Sequence, residues 1–157
     1  GIELNAGLQA GARLTLQAGL VLQTARYDDP EPEFGSRDFF RTPETYGTFT
    51  ATFRTPEIAD LFVGVKYDGP MKAPHYAGYI NEDRLETTSS FVTFDVGVSR
   101  RFPLGPNAFP AISASFTVKN VTDEYQEDLD QGPDRDSGYV YGPRFPRTMH
   151  LSVGFEF

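Results

Sequence analysis

Apolar and polar residues alternate along most of this chain of 157 residues. The closing stretch, 149–157, reads Met-His-Leu-Ser-Val-Gly-Phe-Glu-Phe, so that every second residue is apolar. Successive side chains of a β-strand point to opposite faces, and this stretch is therefore predicted to form a strand with one apolar and one small polar face. The same alternation predicts about seven strands, over residues 1–9, 13–27, 45–54, 61–67, 92–102, 112–119 and 148–157.

The connections between these strands alternate in length. Short turns are predicted over 10–12, 55–60 and 103–110, and long polar loops over 28–44, 68–88 and 122–146, where proline and glycine interrupt the pattern. If neighbouring strands run antiparallel, all long loops lie at one end of the sheet. The predicted fold class is therefore all-β, an antiparallel up-and-down meander.

Composition alone suggests a soluble protein, since the mean hydropathy is −0.39 and 39% of the residues are hydrophobic. In a transmembrane β-barrel, however, only alternate strand residues face lipid, which dilutes the apolar signal. The net charge of −8 argues against a nucleic-acid partner, because nucleic acids attract basic surfaces.

The polar face of the predicted strands is mostly Thr, Ser, Gly and Gln. Strand positions that face bulk water commonly carry Lys and Glu, so this composition favours an interior that is packed or holds water. Two alternatives stay open. One is a soluble β-sandwich that serves as a binding module, and the other is a passive outer-membrane barrel acting as a porin or an anchor.

Residues 120–125 read Asn-Val-Thr-Asp-Glu-Tyr and are followed by an acidic loop and by Gly-Pro-Arg-Phe-Pro-Arg-Thr at 142–148. This arrangement resembles the carboxyl end of TonB-dependent outer-membrane receptors. The stretches 69–78 and 134–139 are similar to those of family members that import iron chelates, haem or cobalamin. Outer-membrane barrels also have short turns at one end and long loops at the other.

The resemblance implies that residues 1–157 are the carboxyl-terminal segment of a transmembrane barrel of about 22 strands, without the plug domain and the first barrel strands. The chain opens without a signal-peptide pattern, as expected if its amino end is missing. The implied function is active uptake of a scarce nutrient across the bacterial outer membrane. The implied partners are outer-membrane lipid, the remaining strands and plug, the TonB energy-transducing complex, the barrel-assembly machinery and a small nutrient.

Several residues take specific roles if this resemblance holds. Phe157 ends the last strand and matches the terminal aromatic residue that forms part of the assembly signal. Phe53, Phe102 and Phe157 are predicted to form an aromatic girdle at one interface, with Tyr67 at the other. Six residues of shared parity are predicted to face lipid: Leu16, Leu20, Phe94, Val96, Phe116 and Val153.

Few residues of the sequence suggest catalysis or metal binding. No nucleophile, base and orienting acid can be placed together, so neither enzymatic activity nor a cofactor is predicted. With two histidines and no cysteine, the sequence offers no cluster of transition-metal ligands. Alternating acids suggest a weak calcium site, with the alternative that these carboxylates pair with Arg135, Arg144 or Arg147; the acids are Asp128, Asp130, Asp134 and Asp136. The candidate ligand contacts are loop aromatics and a histidine: Phe39, His75, Tyr76, Tyr79, Tyr139 and Tyr141.

Overall fold

The computed structural model describes residues 1–55, 58–105 and 110–157. Within these ranges the regular structure is all β, and no helix is long and apolar enough to cross a membrane. The strands are β1 (Ile2–Ala10), β2 (Leu14–Leu22), β3 (Thr45–Thr55), β4 (Ala59–Asp68), β5 (Lys72–His75), β6 (Arg84–Thr87), β7 (Phe91–Pro103), β8 (Ala111–Lys119) and β9 (Thr148–Glu156).

Seven of these strands form one antiparallel sheet in the order β1-β2-β3-β4-β7-β8-β9. The predicted meander of seven strands is thereby confirmed, and the three long connections lie at one end of it. The predicted turns over 55–60 and 103–110 fall partly on residues 56–57 and 106–109, outside the described ranges.

Two sequence predictions about elements were wrong. The second strand was predicted to reach Tyr27 but ends at Leu22. Beyond that point, contacts with the following loop are irregular, and Pro43 has no N–H with which to extend a ladder. The stretch 68–88 was predicted to be only a loop, yet it contains the antiparallel hairpin β5–β6. Its first strand includes Pro74, and each strand has only 4 residues, too few for a clear alternation.

The register places apolar residues beside apolar residues across the sheet. One row, read from strand to paired strand, contains Leu8, Leu16, Ala51, Val63, Val96, Val118 and Met149. A neighbouring row on the other face contains Gln17, Thr50, Gly64 and Asp95. The prediction that one whole face of the sheet is apolar is therefore confirmed.

This apolar face is uncovered. Phe116 near the middle of β8 is 41% exposed, and Leu151 in β9 is 76% exposed. A soluble sandwich would bury such a face against a second sheet, whereas here the other two-stranded sheet belongs to the loops. The buried apolar residues in the described part of the chain are Ala73, Phe91, Ala111 and Tyr139, and of these only Ala111 lies at the end with the short turns.

The three phenylalanines predicted to form a girdle do not share a hydrogen-bonded row. The row of Phe53 crosses β7 at Val98, four residues before Phe102. Phe102 in turn shares its row with Phe155, two residues before Phe157. The strand ends thus step in one direction across the sheet, as strands do when they tilt relative to a common axis. The girdle itself stays a prediction.

Candidate functional site: the loop cap and the pocket beneath it

The three long connections, 23–44, 69–90 and 120–147, bind one another and form what we call the loop cap. Arg41 joins the first connection to both others, because its backbone N–H donates to the carbonyl of Lys72 over 2.7 Å and its guanidinium donates to the carbonyl of Gly138. The Tyr76 hydroxyl donates to the Glu33 carboxylate over 3.2 Å. The loop cap is therefore one hydrogen-bonded unit.

His75 lies at the centre of the loop cap. Its Nε2 is 3.0 Å from both carboxylate oxygens of Asp130, and its Nδ1 is 3.6 Å from the Glu86 carboxylate. The imidazole stacks on the Tyr139 ring with a centroid distance of 3.7 Å and an interplanar angle of 7°. His75, Asp130 and Tyr139 are all buried. The ring thus joins the hairpin β5–β6 to the acidic loop by a hydrogen bond to Asp130 and a ring contact with Tyr139.

The two stretches that carried the finer family resemblance, 69–78 and 134–139, meet in this cap. The N–H of Tyr76 donates to the Asp136 carboxylate over 3.1 Å. Gly78 has a φ of +150°, and a Cβ there would lie 2.5 Å from the carbonyl oxygen of Asp134. Only glycine permits this approach, since a Cβ would clash and the backbone conformation is one that other residues rarely adopt.

Asp128 accepts hydrogen bonds from two tyrosines, Tyr141 at 2.7 Å and Tyr139 at 3.0 Å. Partial burial alone would raise the pKa of Asp128, but the hydrogen bonds that the carboxylate accepts, first those from the two hydroxyls, together outweigh it, so the pKa is lowered. Burial, followed by the hydrogen bond to Asp128, raises the pKa of Tyr141 to about 12. The same two causes raise the pKa of Tyr139.

Asn120 and Gln126 close the stem of the acidic loop. Asn120 adopts a positive φ of 50°, and its side chain donates to the carbonyls of Glu124 at 2.8 Å and Phe145 at 3.2 Å. Gln126 accepts from the N–H of Tyr141 at 2.9 Å and donates to the carbonyl of Tyr139 at 3.2 Å. These two buried amides explain why the stretch 120–126 can turn away from β8 and return to β9.

Three of the four aspartates proposed for calcium have separate partners. Asp128 receives the tyrosines, Asp130 contacts His75, and Asp136 accepts the N–H groups of Tyr76 and Gly138. Over residues 1–55, 58–105 and 110–157, no group of three or more His, Cys, Asp or Glu side chains could hold a metal ion. Among the described residues, no ion pair joins these carboxylates to Arg135, Arg144 or Arg147: Arg135 donates to the carbonyl of Gly132, and Arg147 to that of Val121.

The predicted ligand contacts divide into three groups. His75 and Tyr139 are buried inside the cap, with Tyr141 half-buried beside them. Phe39 packs on Tyr27 with a ring separation of 4.3 Å, away from this cluster. Tyr76 and Tyr79 are exposed, the latter by 56%. Of the six, Tyr141 lines the large pocket beneath the cap.

That pocket has a volume of about 840 Å³ and lies between the loop cap and the polar face of β4, β7, β8 and β9; we call it the cap pocket. The sheet contributes Lys66, Thr93, Lys119 and His150, and the cap contributes Arg41, Met71, Tyr141, Arg144 and Phe145. Its size is that of a small-molecule site. The sequence analysis did not single out Lys66 or Lys119, although two lysines on a strand face made mostly of Thr, Ser, Gly and Gln were a visible signal.

No protein-family model, curated protein or solved structure matches this chain. The function must therefore be inferred from the geometry of the molecule. This geometry offers a hydrogen-bonded polar cap, an exposed apolar sheet face and a concave site with cationic and aromatic side chains. Such a site can bind and orient a small molecule.

Proposed function

We propose that this chain forms part of the wall and the outer loops of a TonB-dependent outer-membrane receptor, which takes up a scarce nutrient such as an iron chelate, haem or cobalamin. The observation that carries the proposal is the uncovered apolar face of the sheet. Lipid is the environment in which such a face is stable, because soluble monomers rarely expose an extended contiguous apolar patch.

The opposite face supports the same proposal. It consists largely of Thr, Ser and Gly and ends beneath the loop cap, beside the cap pocket. In the proposed receptor this face lines the interior, the loop cap faces the outside, and the nutrient reaches the cap pocket from there. The remaining strands would pair with the outer edges of β1 and β9, which have no partner strand among the described residues.

The assignment to the TonB-dependent family, rather than to passive barrels, rests on the motifs at 120–125 and 142–148. These residues form the stem of the acidic loop, where Asn120 and the carbonyl of Phe145 are hydrogen-bonded. A porin or an anchor would share the apolar face but would show no saturable nutrient binding. A soluble binding module would bury that face.

The lipid contact can be tested with a tryptophan probe, because this chain contains no tryptophan. Phe116→Trp places the probe on the apolar face, and Ser115→Trp places it on the polar face one residue away. In membranes that contain brominated lipids, we expect strong quenching for Phe116→Trp and little for Ser115→Trp. Equal quenching of both probes, or quenching of neither, would refute the proposal.

A further inference from the structure

We propose that the cap pocket binds an organic anion with a flat apolar part, such as an aromatic polycarboxylate. This inference rests on the proposed function in one respect, namely that the polar face of the sheet lines an interior which the ligand can enter. It adds the chemical class of the ligand, which neither the sequence motifs nor the lipid-facing surface specifies.

The charge of the cap pocket is opposite to that of the chain. Four cationic side chains line it, Arg41, Lys66, Lys119 and Arg144, against two carboxylates, Asp68 and Asp95. The whole chain has 14 Lys and Arg against 22 Asp and Glu. A concave site with an excess of one charge attracts ligands of the opposite charge, and it does so more strongly than a flat surface.

Two of the four cations already have partners in the chain. Lys66 forms an ion pair with Asp68 over 2.7 Å, and the Arg41 guanidinium donates to the carbonyl of Gly138. The other pocket carboxylate, Asp95, accepts the N–H of Asn120 over 2.9 Å. For Lys119 and Arg144, no hydrogen bond or ion pair to a described residue is present in the structure, so these two charges remain available to a ligand.

The fold holds Lys119 and Arg144 at one corner of the cap pocket. Lys119 ends β8 and lies opposite Thr148, the first residue of β9. Asn120 follows Lys119 and donates to the carbonyl of Phe145, which follows Arg144, over 3.2 Å. One hydrogen bond therefore ties together the two chain segments that carry the cations.

Aromatic residues line the same pocket. Phe145 is 71% exposed and lines the cap pocket with Phe91 and Tyr141. A cation from each of these two segments can bind a carboxylate by charge-assisted hydrogen bonds, and the guanidinium matches a carboxylate with two parallel N–H donors. Aromatic rings offer a contact surface for a flat apolar group. A ligand with both parts would use all of these residues.

The test uses two probes of the same shape, trimesate, which is a trianion at neutral pH, and trimesamide, its neutral triamide. Binding is measured calorimetrically on the protein in its native membrane assembly, reconstituted in nanodiscs. We expect trimesate to bind more tightly than trimesamide, with an affinity that falls as salt is added. Lys119→Gln and Arg144→Gln should each weaken trimesate binding about tenfold, the effect of one charge-assisted hydrogen bond.

Matched variants separate charge from structure. Arg135→Gln removes an arginine of the same loop that lies outside the cap pocket, and it should leave trimesate binding unchanged. Lys119→Arg and Arg144→Lys keep the charge and should retain most of the affinity. The inference is overturned if the two probes bind equally, if the Gln variants bind trimesate normally, or if the charge-preserving variants lose as much affinity as the Gln variants.

The trimesate-binding test and the lipid-quenching test can fail independently of each other. Charge-dependent trimesate binding without lipid quenching at position 116 would retain the anion site and reject the membrane wall. Lipid quenching without charge-dependent binding would retain the membrane wall and reject the anion site.

Discussion

Asn120 combines a backbone role and a side-chain role in the stem of the acidic loop. Its φ of 50° lies in the left-handed region, which asparagine tolerates better than alanine does. Its amide also donates to two carbonyls and accepts the N–H of Glu124 at 2.9 Å. The residue is buried, so these bonds have no ready replacement by water.

We expect Asn120→Ala to lower the free energy of unfolding by about 2 to 3 kcal/mol, from lost hydrogen bonds and backbone strain. Urea titration measures this change. Asn120→Gly relieves the strain and should recover only part of the loss, whereas Asn81→Ala, at an exposed loop position, should have little effect. Wild-type stability in Asn120→Gly would show that the side-chain bonds contribute nothing.

Asp128 and the two tyrosines that donate to it, Tyr139 and Tyr141, make the stability of the loop cap depend on pH. The folded state lowers the pKa of Asp128 below its ordinary 3.8, so the stabilisation is complete above that value and is lost as the pH falls through the lowered pKa. For Tyr141 the pKa is raised from 10.0 to about 12. Its contribution is complete below pH 10.0 and is lost as the pH rises through about 12.

Asp128→Asn should therefore lower the pKa of Tyr141 part of the way toward 10.0. The return is partial because burial of the phenol, the larger cause, persists in the variant. Ultraviolet absorbance of the tyrosinate reports this titration. Glu127→Gln removes a neighbouring charge that has no hydrogen bond to a described residue, and it should leave the titration unchanged. An unaltered Tyr141 titration in Asp128→Asn would contradict the assignment.

At the scale of elements, the strands were predictable and the loop cap was not. The period of two fixes which residues share a face, and the observed register agrees with it, for example in the pairing of Phe49 with Val65 and of Val65 with Phe94. The cap depends on contacts between distant residues: His75 and Asp130 are 55 positions apart. No local periodicity encodes such a pair, although the sequence predicts other roles for both residues.

The His75 contacts make a prediction about how the cap elements hold together. His75→Ala removes the stacking on Tyr139 and leaves the buried Asp130 carboxylate with the N–H of Asp136 as its remaining hydrogen-bond donor among the described residues. We expect amide hydrogens of β5, β6 and residues 126–141 to exchange at least tenfold faster, corresponding to a loss of more than about 1.4 kcal/mol. Amides of β2 and β3 should exchange as before.

A matched variant at the other histidine tests the specificity of this effect. His150 lies on the polar face of β9, opposite Thr117, and has no hydrogen bond to a described residue. His150→Ala should leave exchange in the loop cap unchanged. If both variants accelerate exchange equally across the whole sheet, His75 contributes to general stability and does not specifically hold the cap.

At the scale of the whole molecule, apolar side chains are exposed and polar side chains are buried, which is the reverse of the usual arrangement in a soluble protein. The apolar face of the sheet is open, while the buried groups of the loop cap include a histidine, an aspartate and two amides. In water this arrangement would leave an extended apolar surface unprotected. In the proposed receptor, lipid covers that surface, and the backbone groups at the edges of β1 and β9 pair with further strands.

Phe157 provides the prediction at this scale. It follows β9 and is fully exposed, so it contributes no packing to the fold described above. Phe157→Ser should therefore leave the affinity of assembled molecules for their ligand unchanged. If Phe157 is part of the assembly signal, as the family resemblance implies, the same substitution should reduce the amount of protein that reaches the outer membrane.

Surface labelling of intact cells measures assembled protein, and ligand binding per labelled molecule measures function. Phe145→Ser is the control for loss of an exposed phenylalanine, since Phe145 is also highly exposed but lies in the loop cap. That variant should assemble normally and, because Phe145 lines the cap pocket, should weaken ligand binding. The two substitutions are thus expected to have opposite effects. Normal assembly with lost ligand binding in Phe157→Ser would contradict the prediction that this residue acts in assembly.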